Sequence, residues 1–513
     1  MIEPCSKAQG DAHLAEAPRA AILLVALLMA FAPGVLVAVT PIPKATLIPV
    51  TPDSYPFGAA NHTRIPEDLK AVGYVEEEFL VSGTANVYEW PEGGPAKVRT
   101  ANAPYVTRVL VRRPRERSKF SGVVVVEMLN PSNLFDLNLA WAMTRRQFLR
   151  DGDAWVGITA KPVAVATLKK FNPTRYGALS WANPLPLDDP NHCGTVSRDS
   201  ERTTENGLVW DIHSQVGAWL RSADPANPFR YSLSAGPSAA KHLYAWGYSQ
   251  TGAFLYTYVN SIHPRDAAAN GRPIYDAYLI AVAASPTPIH QCAGPLAAGD
   301  PRRQIRNAGV PVIHVMSQSD YLRAIPARRD DQDRPPDQFR HYELAGAGHA
   351  TQDELNTAAA PADIERGGRA VPPMNCNEGP RSRFPSWLAF DAMFRNLDLW
   401  VRKGIAPPRA DPIEVVNGAP VLDAFGNVKG GYRSPYVDVP ASKWAGNSTG
   451  ASFCMIAGHE TPLTPEEFRK AYPTRAAYAA AFKKSVSALT KARFIVAEDG
   501  QELVKAEANQ RPE

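Results

Sequence analysis

Apolar residues along the chain gather into short unbroken runs separated by stretches of helical periodicity. The run "FSGVVVVEMLN", Phe120 to Asn130, has the length and continuity of a strand buried on both faces of a sheet. It is followed by "LFDLNLAWAMTRRQFLRDG", whose apolar residues recur at helical spacing, and then by a second buried run, "AWVGITA". Strand, helix and strand in that order predict a parallel crossover unit. The alternation continues through "GLVWDIHSQVGAWLRS" (helix), "HLYAWG" (strand), "QTGAFLYTYVNSI" (helix), and the strands "YDAYLIAVAAS", "VPVIHVMS" and "FRHYELAG". It ends at the amphipathic "FDAMFRNLDLWVRKG". The expected fold class is therefore α/β: an open, mostly parallel central sheet with helices on both faces.

The flanks are patterned differently. After a Pro-rich opening, "VGYVEEEFLVSGTANVYEW" combines β-branched and aromatic residues with a Gly break and predicts a hairpin, and "APYVTRVLVRRP" continues the alternating pattern. Three segments, 161–204, 286–309 and 351–385, are rich in Pro, Asn, Asp and Gly and longer than ordinary connections, so they are expected to form lid or cap insertions. A C-terminal extension, 405–513, contains "TPEEFRKAYPTRAAYAAAFKKSVSALTKARF", which begins with a helix-start signal and predicts one or two helices. A single catalytic domain over 41–513 accommodates all of these.

Composition narrows the partners. The chain has 513 residues, 45% hydrophobic and 21% charged, ordinary for a globular enzyme. Its 55 basic and 51 acidic residues are scattered, with no basic block to follow a phosphate backbone, so nucleic acid is not an expected partner. Residues 1–40 place Arg19 ahead of an apolar run from Ala20 to Ala32, the pattern of a signal peptide and of export to a periplasmic or extracellular space. Extended to Val39, the run gives the alternative of an uncleaved membrane anchor. Beyond this leader remain Cys193, Cys292, Cys376 and Cys454, an even set that predicts two disulfides, with three pairings open and buried free thiols as the alternative. No C-x-x-C or H-x-x-x-H spacing occurs, and neither a metal nor an organic cofactor is expected.

Candidate chemistry centres on serine. The nucleophile elbow, G-x-S-x-G, is matched by "GNSTG" at Gly446 to Gly450 and approximated by "GYSQTG" at Gly247 to Gly252. Such an elbow is a sharp turn between a buried strand and a helix. Ser249 has "HLYAW" before it and "AFLYTYV" after it, whereas Ser448 has neither, and its segment carries an Asn-Ser-Thr sequon typical of an exposed loop. Ser238 precedes the strand and follows a Pro. Ser249 is the expected nucleophile, with Thr251 accommodated in the first helical turn and Gly252 giving the close approach.

Partners should follow in the order acid, then histidine, each past the C-terminal end of a strand. Asp320 follows "VPVIHVMS" and His349 follows "FRHYELAG" across a Gly-rich turn. Asp330, Asp331 and Asp333 compete for the acid but form a cluster of the kind usual in solvated loops, and His290, His314 and His341 lack such a turn. Oxyanion donors are expected from the N–H of Gln250 and from the loop "NPSNLF", where Pro131 has none to give and Ser132 or Asn133 is the choice.

These residues resemble the exported bacterial alpha/beta-hydrolase domain proteins with a G-x-S-Q-[ST]-G elbow. The resemblance spans "GYVEEEFLVSGTANVY", "VVVVEMLN", "AWVGITA", "AWGYSQTG", "ELAGAGHA" and "CMIAGHETPLTPEEFRKAYP". It implies the alpha/beta-hydrolase fold and a Ser-Asp-His set at Ser249, Asp320 and His349. Members often carry an acidic residue two places before the Asp, where this chain has Gln318. The expected activity is serine-dependent cleavage of a small-molecule carboxylic ester. An amidase, peptidase or acyltransferase would use the same residues, and a non-catalytic binding protein could use the same fold.

Overall fold

The computed structural model describes residues 39–193, 200–231 and 238–508. The leader, which carries the signal-peptide and anchor expectations, lies outside the described residues. Among them, no helix is long and apolar enough to cross a membrane.

Nine strands form one sheet: β1 (Lys44–Leu47), β2 (Tyr74–Glu89), β3 (Lys97–Pro114), β4 (Val123–Leu129), β5 (Ala154–Thr159), β6 (His242–Tyr248), β7 (Ala277–Ala281), β8 (Val312–Ser317) and β9 (Phe339–Leu344). Their spatial order is β1-β2-β3-β5-β4-β6-β7-β8-β9. The first three and β5 pair antiparallel, and from β5 to β9 the sheet is parallel. Every residue of β4, β5, β7, β8 and β9 is buried; the first four read as largely apolar runs, whereas β9 buries Arg340, His341 and Glu343 among its apolar residues.

Two departures from the sequence expectations lie at the antiparallel end. The stretch around Gly83 is not a hairpin in itself. β2 runs through it as one 16-residue strand, with Gly83 opposite Tyr105, and the reversal comes between Glu89 and Lys97. Its long ladder is tied by ion pairs from Arg108 to Glu78, Arg112 to Glu76 and Arg113 to Glu77. The Pro-rich opening contributes β1, a short edge strand with largely exposed residues and so no hydrophobic signature.

The crossover after β4 is α1 (Leu139–Asp151). Its N-terminus is capped from within the sheet: the buried Glu127 of β4 accepts from the Ala140 N–H (2.9 Å) and from Trp155 Nε1 (2.7 Å). Burial outweighs these bonds and pushes the Glu127 carboxyl up to about 8. The remaining principal helices are α2 (Pro162–Phe171), α3 (Val209–Arg221), α4 (Gln250–Ser261), α5 (Trp387–Lys403), α6 (Pro465–Ala471), α7 (Arg475–Lys491) and α8 (Ala497–Ala508). The segment 161–204 is thus partly helical. The segment from Thr464 to Phe494, expected to form one or two helices, forms α6 and α7, and α8 follows it; Tyr478, Phe482, Val486 and Leu503 there pack with Leu388 of α5.

Topology selects the site. From β4 the chain crosses to β5 on one side, whereas β6 lies on the other side of β4. The connections leaving the carboxyl ends of β4 and β6 therefore diverge and open a crevice. The loop after β4 is pinned there by Asp136, which accepts from Arg108 Nη1 (3.2 Å) and Thr159 Oγ1 (2.5 Å).

Candidate active site

Ser249 stands at the end of β6 and the start of α4, with φ 56° and ψ −116°. A non-glycine residue rarely adopts this left-handed conformation, and the surrounding contacts must hold it there. Several do. The Ser249 N–H donates to Ala281 O (2.9 Å), and Asn130 Nδ2 donates to Tyr248 O (2.7 Å). A Cβ on Gly247 would lie 2.2 Å from Thr251 O, and one on Gly252 would lie 2.6 Å from Ala281 O, so both positions exclude a side chain. Thr251, where the usual pattern has Gly, is buried. Its Oγ1 donates to Tyr248 O (3.1 Å) and accepts from Tyr248 N–H (3.2 Å), closing the elbow on itself. The second close approach is displaced one residue, to Gly252 against β7.

Ser249, His349 and Asp320 come together although they are distant in sequence. His349 Nε2 lies 2.8 Å from Ser249 Oγ, and His349 Nδ1 lies 2.8 Å from Asp320 Oδ2. A carboxylate only accepts, so Nδ1 carries the proton and Nε2 is left to accept from the Ser249 hydroxyl. Asp320 is buried in the turn after β8, where Oδ2 also accepts from Ser317 Oγ (2.6 Å). Burial acts to raise its carboxyl, but the His349 imidazole and the Ser317 hydroxyl outweigh burial and hold it below the ordinary carboxylate value.

The His349 loop is held by a part of the chain with no local signal for that role. The His349 N–H meets Ile456 O (2.8 Å) and Ser319 Oγ (3.0 Å), and the Ala350 N–H donates to Ile456 O (3.0 Å). Ser319 Oγ in turn donates to Gly446 O. Gln318 accepts from the Gly346 N–H (2.7 Å) and donates to Trp444 O (3.3 Å). A disulfide between Cys376 and Cys454 fastens the turn Cys454–Ile456 to the insertion at 351–385. A second disulfide, Cys193 to Cys292, staples the insertions at 161–204 and 286–309 to each other.

The competing residues are occupied elsewhere. Asp331 pairs with Arg340 (2.8 Å), Asp333 with Arg340 (2.6 Å) and Arg409 (2.9 Å), and Asp330 is exposed. His314 sits inside β8 between Ala283 O (2.6 Å) and His341 (3.0 Å), while His290 contacts Arg99 (3.1 Å). Ser238 donates to Leu220 O (2.7 Å). Ser448 Oγ does approach His459 Nδ1 (3.0 Å), but that nitrogen also lies 3.0 Å from Asn447 O, in the loop of a short ribbon formed by Ser442–Ala445 and His459–Pro462.

Of the expected oxyanion donors, Gln250 is the first residue of α4, where helix amides accumulate positive potential. Ser132 corrects the expectation: its N–H is committed to Asn130 Oδ1 (2.8 Å), because the loop turns tightly after β4. Asn133 lines a small recess together with Ser249 and His349. A cleft of about 750 Å³ opens over Ser249, walled by Ala283, Leu322, Phe453 and two arginines.

A mostly parallel sheet with a serine at a strand-to-helix elbow and a histidine and acid on later strand ends defines the hydrolase class of α/β fold. The chain belongs to an alpha/beta hydrolase domain family, whose profile it matches over residues 39–505. No curated protein is significantly similar to it. Among solved structures it is similar to a putative dienelactone hydrolase from Klebsiella pneumoniae (12% identity, 56% of this chain and 95% of that one, TM-score 0.26). Other similar structures are a poly(3-hydroxybutyrate) depolymerase from Bordetella parapertussis (15% identity, 59% and 88%, TM-score 0.26) and a glucuronoyl esterase from Teredinibacter turnerae (12% identity, 61% and 76%, TM-score 0.28).

Proposed function

We propose that this protein is a serine hydrolase that cleaves a carboxylic ester through Ser249, His349 and Asp320. The observation that carries this reading is the hydrogen-bonded relay from Ser249 Oγ through the imidazole to Asp320, with 2.8 Å at each link. Ser249 Oγ attacks the ester carbonyl carbon while His349 Nε2 takes its proton; Asp320 holds the ring and stabilises its charge. The tetrahedral intermediate collapses as the bond to the alcohol oxygen breaks, and His349 returns the proton to that oxygen. Water, deprotonated by His349, then attacks the acyl-enzyme, and the carboxylic acid leaves with Ser249 restored. The Gln250 N–H and an N–H of the loop after β4, for which Asn133 is the choice, are assigned to the oxyanion.

The two disulfides support placing this activity in an oxidising compartment outside the cytoplasm. The test of the activity is labelling by a fluorophosphonate probe together with hydrolysis of para-nitrophenyl esters. Wild type should label and turn over, Ser249→Ala should do neither, and Ser448→Ala should do both. Wild-type protein that resists the probe and leaves the esters intact would sink this assignment in favour of a binding protein on the hydrolase fold.

A further inference from the structure

The cleft over Ser249 is electrostatically one-sided. Arg303 and Arg323 line it, and no Asp or Glu does among the described residues. Other arginines of the same region are neutralised within the protein: Arg302 by Asp300 (2.5 Å), Arg328 by Glu343 (2.7 Å) and Arg329 by Asp337 (2.8 Å). The two cleft arginines differ from these. Arg303 Nη1 donates only to a neutral carbonyl, Leu296 O (3.2 Å), and neither side chain joins an ion pair among the described residues.

Their placement is set by the fold. Arg323 lies in the helical turn Tyr321–Ala324 directly after Asp320, and Arg303 closes the turn Pro301–Arg303 beyond the stapled Cys292. The small residues Ala283, Ala284 and Ser285 line the same cleft, with Leu322 and Phe453 as apolar wall. A guanidinium presents a planar fork of donors that matches a carboxylate. Asp300 acts electrostatically on Arg303 and Asp320 on Arg323, but neither carboxylate lines the cleft, so toward it the two guanidiniums attract an anion and disfavour a cation.

We propose that the ester cleaved at Ser249 carries a free carboxylate, joined to the scissile ester by a short hydrocarbon spacer and held by Arg303 and Arg323. This substrate class rests on the serine-hydrolase reading. The spacer would lie along Leu322 and Phe453 and the small residues after β7. Arg303 and Arg323 are specificity-determining groups here, with no part in bond cleavage.

The experiment compares paired esters that differ by one charge. On the acyl side these are the para-nitrophenyl monoester of glutarate and para-nitrophenyl valerate, which match in chain length; on the alcohol side, para-acetoxybenzoate and para-tolyl acetate. Wild type should favour the carboxylate member of at least one pair by about tenfold or more in kcat/KM, the scale of one charged hydrogen bond. In Arg303→Gln/Arg323→Gln that preference should collapse, mainly through KM, and the Lys variants should retain part of it. Raising the salt should shrink the wild-type preference. An equal ratio in wild type and the Gln double variant, or no carboxylate preference in either pair, overturns the inference. Fluorophosphonate labelling distinguishes the failures: labelled enzyme with no preference refutes only the anionic substrate, whereas unlabelled, inactive enzyme refutes the hydrolase reading as well.

Discussion

Cutting the Cys376–Cys454 disulfide separates stability from catalysis in a way that can be measured. The bond spans 78 residues, and the loop-closure entropy it removes from the unfolded chain corresponds to about 4.5 kcal/mol. The Cys193–Cys292 bond spans 99 residues and is worth nearly the same, about 4.7 kcal/mol. Cys376→Ala/Cys454→Ala and Cys193→Ala/Cys292→Ala should therefore shift urea unfolding by similar amounts. Their kinetic effects should differ. Cys454 begins the turn whose Ile456 carbonyl holds the His349 and Ala350 N–H groups, so freeing it lets the imidazole drift from Ser249. A displacement on the order of 1 Å can reduce rate a hundredfold, and a fall of about tenfold in kcat is expected under folded conditions. The other bond lies between insertions and touches no residue of the relay, so its loss should act on KM. Esterase kinetics with fluorophosphonate titration of active sites, at urea concentrations well below either transition, give both numbers. Equal kcat losses in the two variants, or full kcat without Cys376–Cys454, would show that the Cys454–Ile456 turn does not position His349.

Three further outcomes are expected. Thr251→Val keeps the shape of the elbow but removes the hydroxyl that serves both backbone polar atoms of Tyr248, so it should destabilise by about 1–3 kcal/mol and lower kcat, while Thr251→Ser should restore most of both; a silent Val variant would mean that the hydroxyl is idle. Asp320→Asn should lower kcat by about four orders of magnitude, whereas Asp331→Asn, whose carboxylate pairs with Arg340, should leave it near wild type; the reverse result in steady-state kinetics would reassign the acid. The third concerns pH. Burial raises the Glu354 carboxyl to about 7, so the folded state keeps a proton that the unfolded chain releases above its ordinary carboxylate value. Stability should fall as pH rises from roughly 4.5 to 7, and the slope of unfolding free energy over that window should flatten in Glu354→Gln. An unchanged slope would mean that Glu354 ionises normally.

The parts of the fold that could be read from the sequence are those whose burial is complete. β4, β5, β7 and β8 are buried along their whole length and stand out as largely apolar runs, and their alternation with helices implies the parallel sheet. Ser249, Asp320 and His349 were legible for a related reason: each follows a strand of the parallel part of the sheet, and strand ends of one parallel sheet share an edge. β1 was not, because its residues are largely exposed at the sheet margin and leave no period to detect. The course of β2 through Gly83 was obscured because Gly usually marks a break, while a long antiparallel partner can carry a strand across it. The support of the His349 loop by Gly446 and Ile456 depends on contacts across more than a hundred residues, and no local pattern encodes those. Disulfide partners were hidden likewise, since spacing does not report distance in space.

The order of the cysteines adds a consequence for how the chain is made. Cys193 joins Cys292 and Cys376 joins Cys454, so of the four cysteines beyond the leader the first bonds the second and the third the fourth, and the two rings neither cross nor nest. Either alternative pairing would cross or nest. Of these four, a polypeptide that emerges from its N-terminus and is oxidised as it appears offers Cys193 only Cys292 before Cys376 is exposed. The native pairs then form in order of appearance, without reshuffling. The first ring to close contains β6, Ser249 and α4, so in that order of events the neighbourhood of Ser249 is covalently bounded before His349 has been synthesised or delivered.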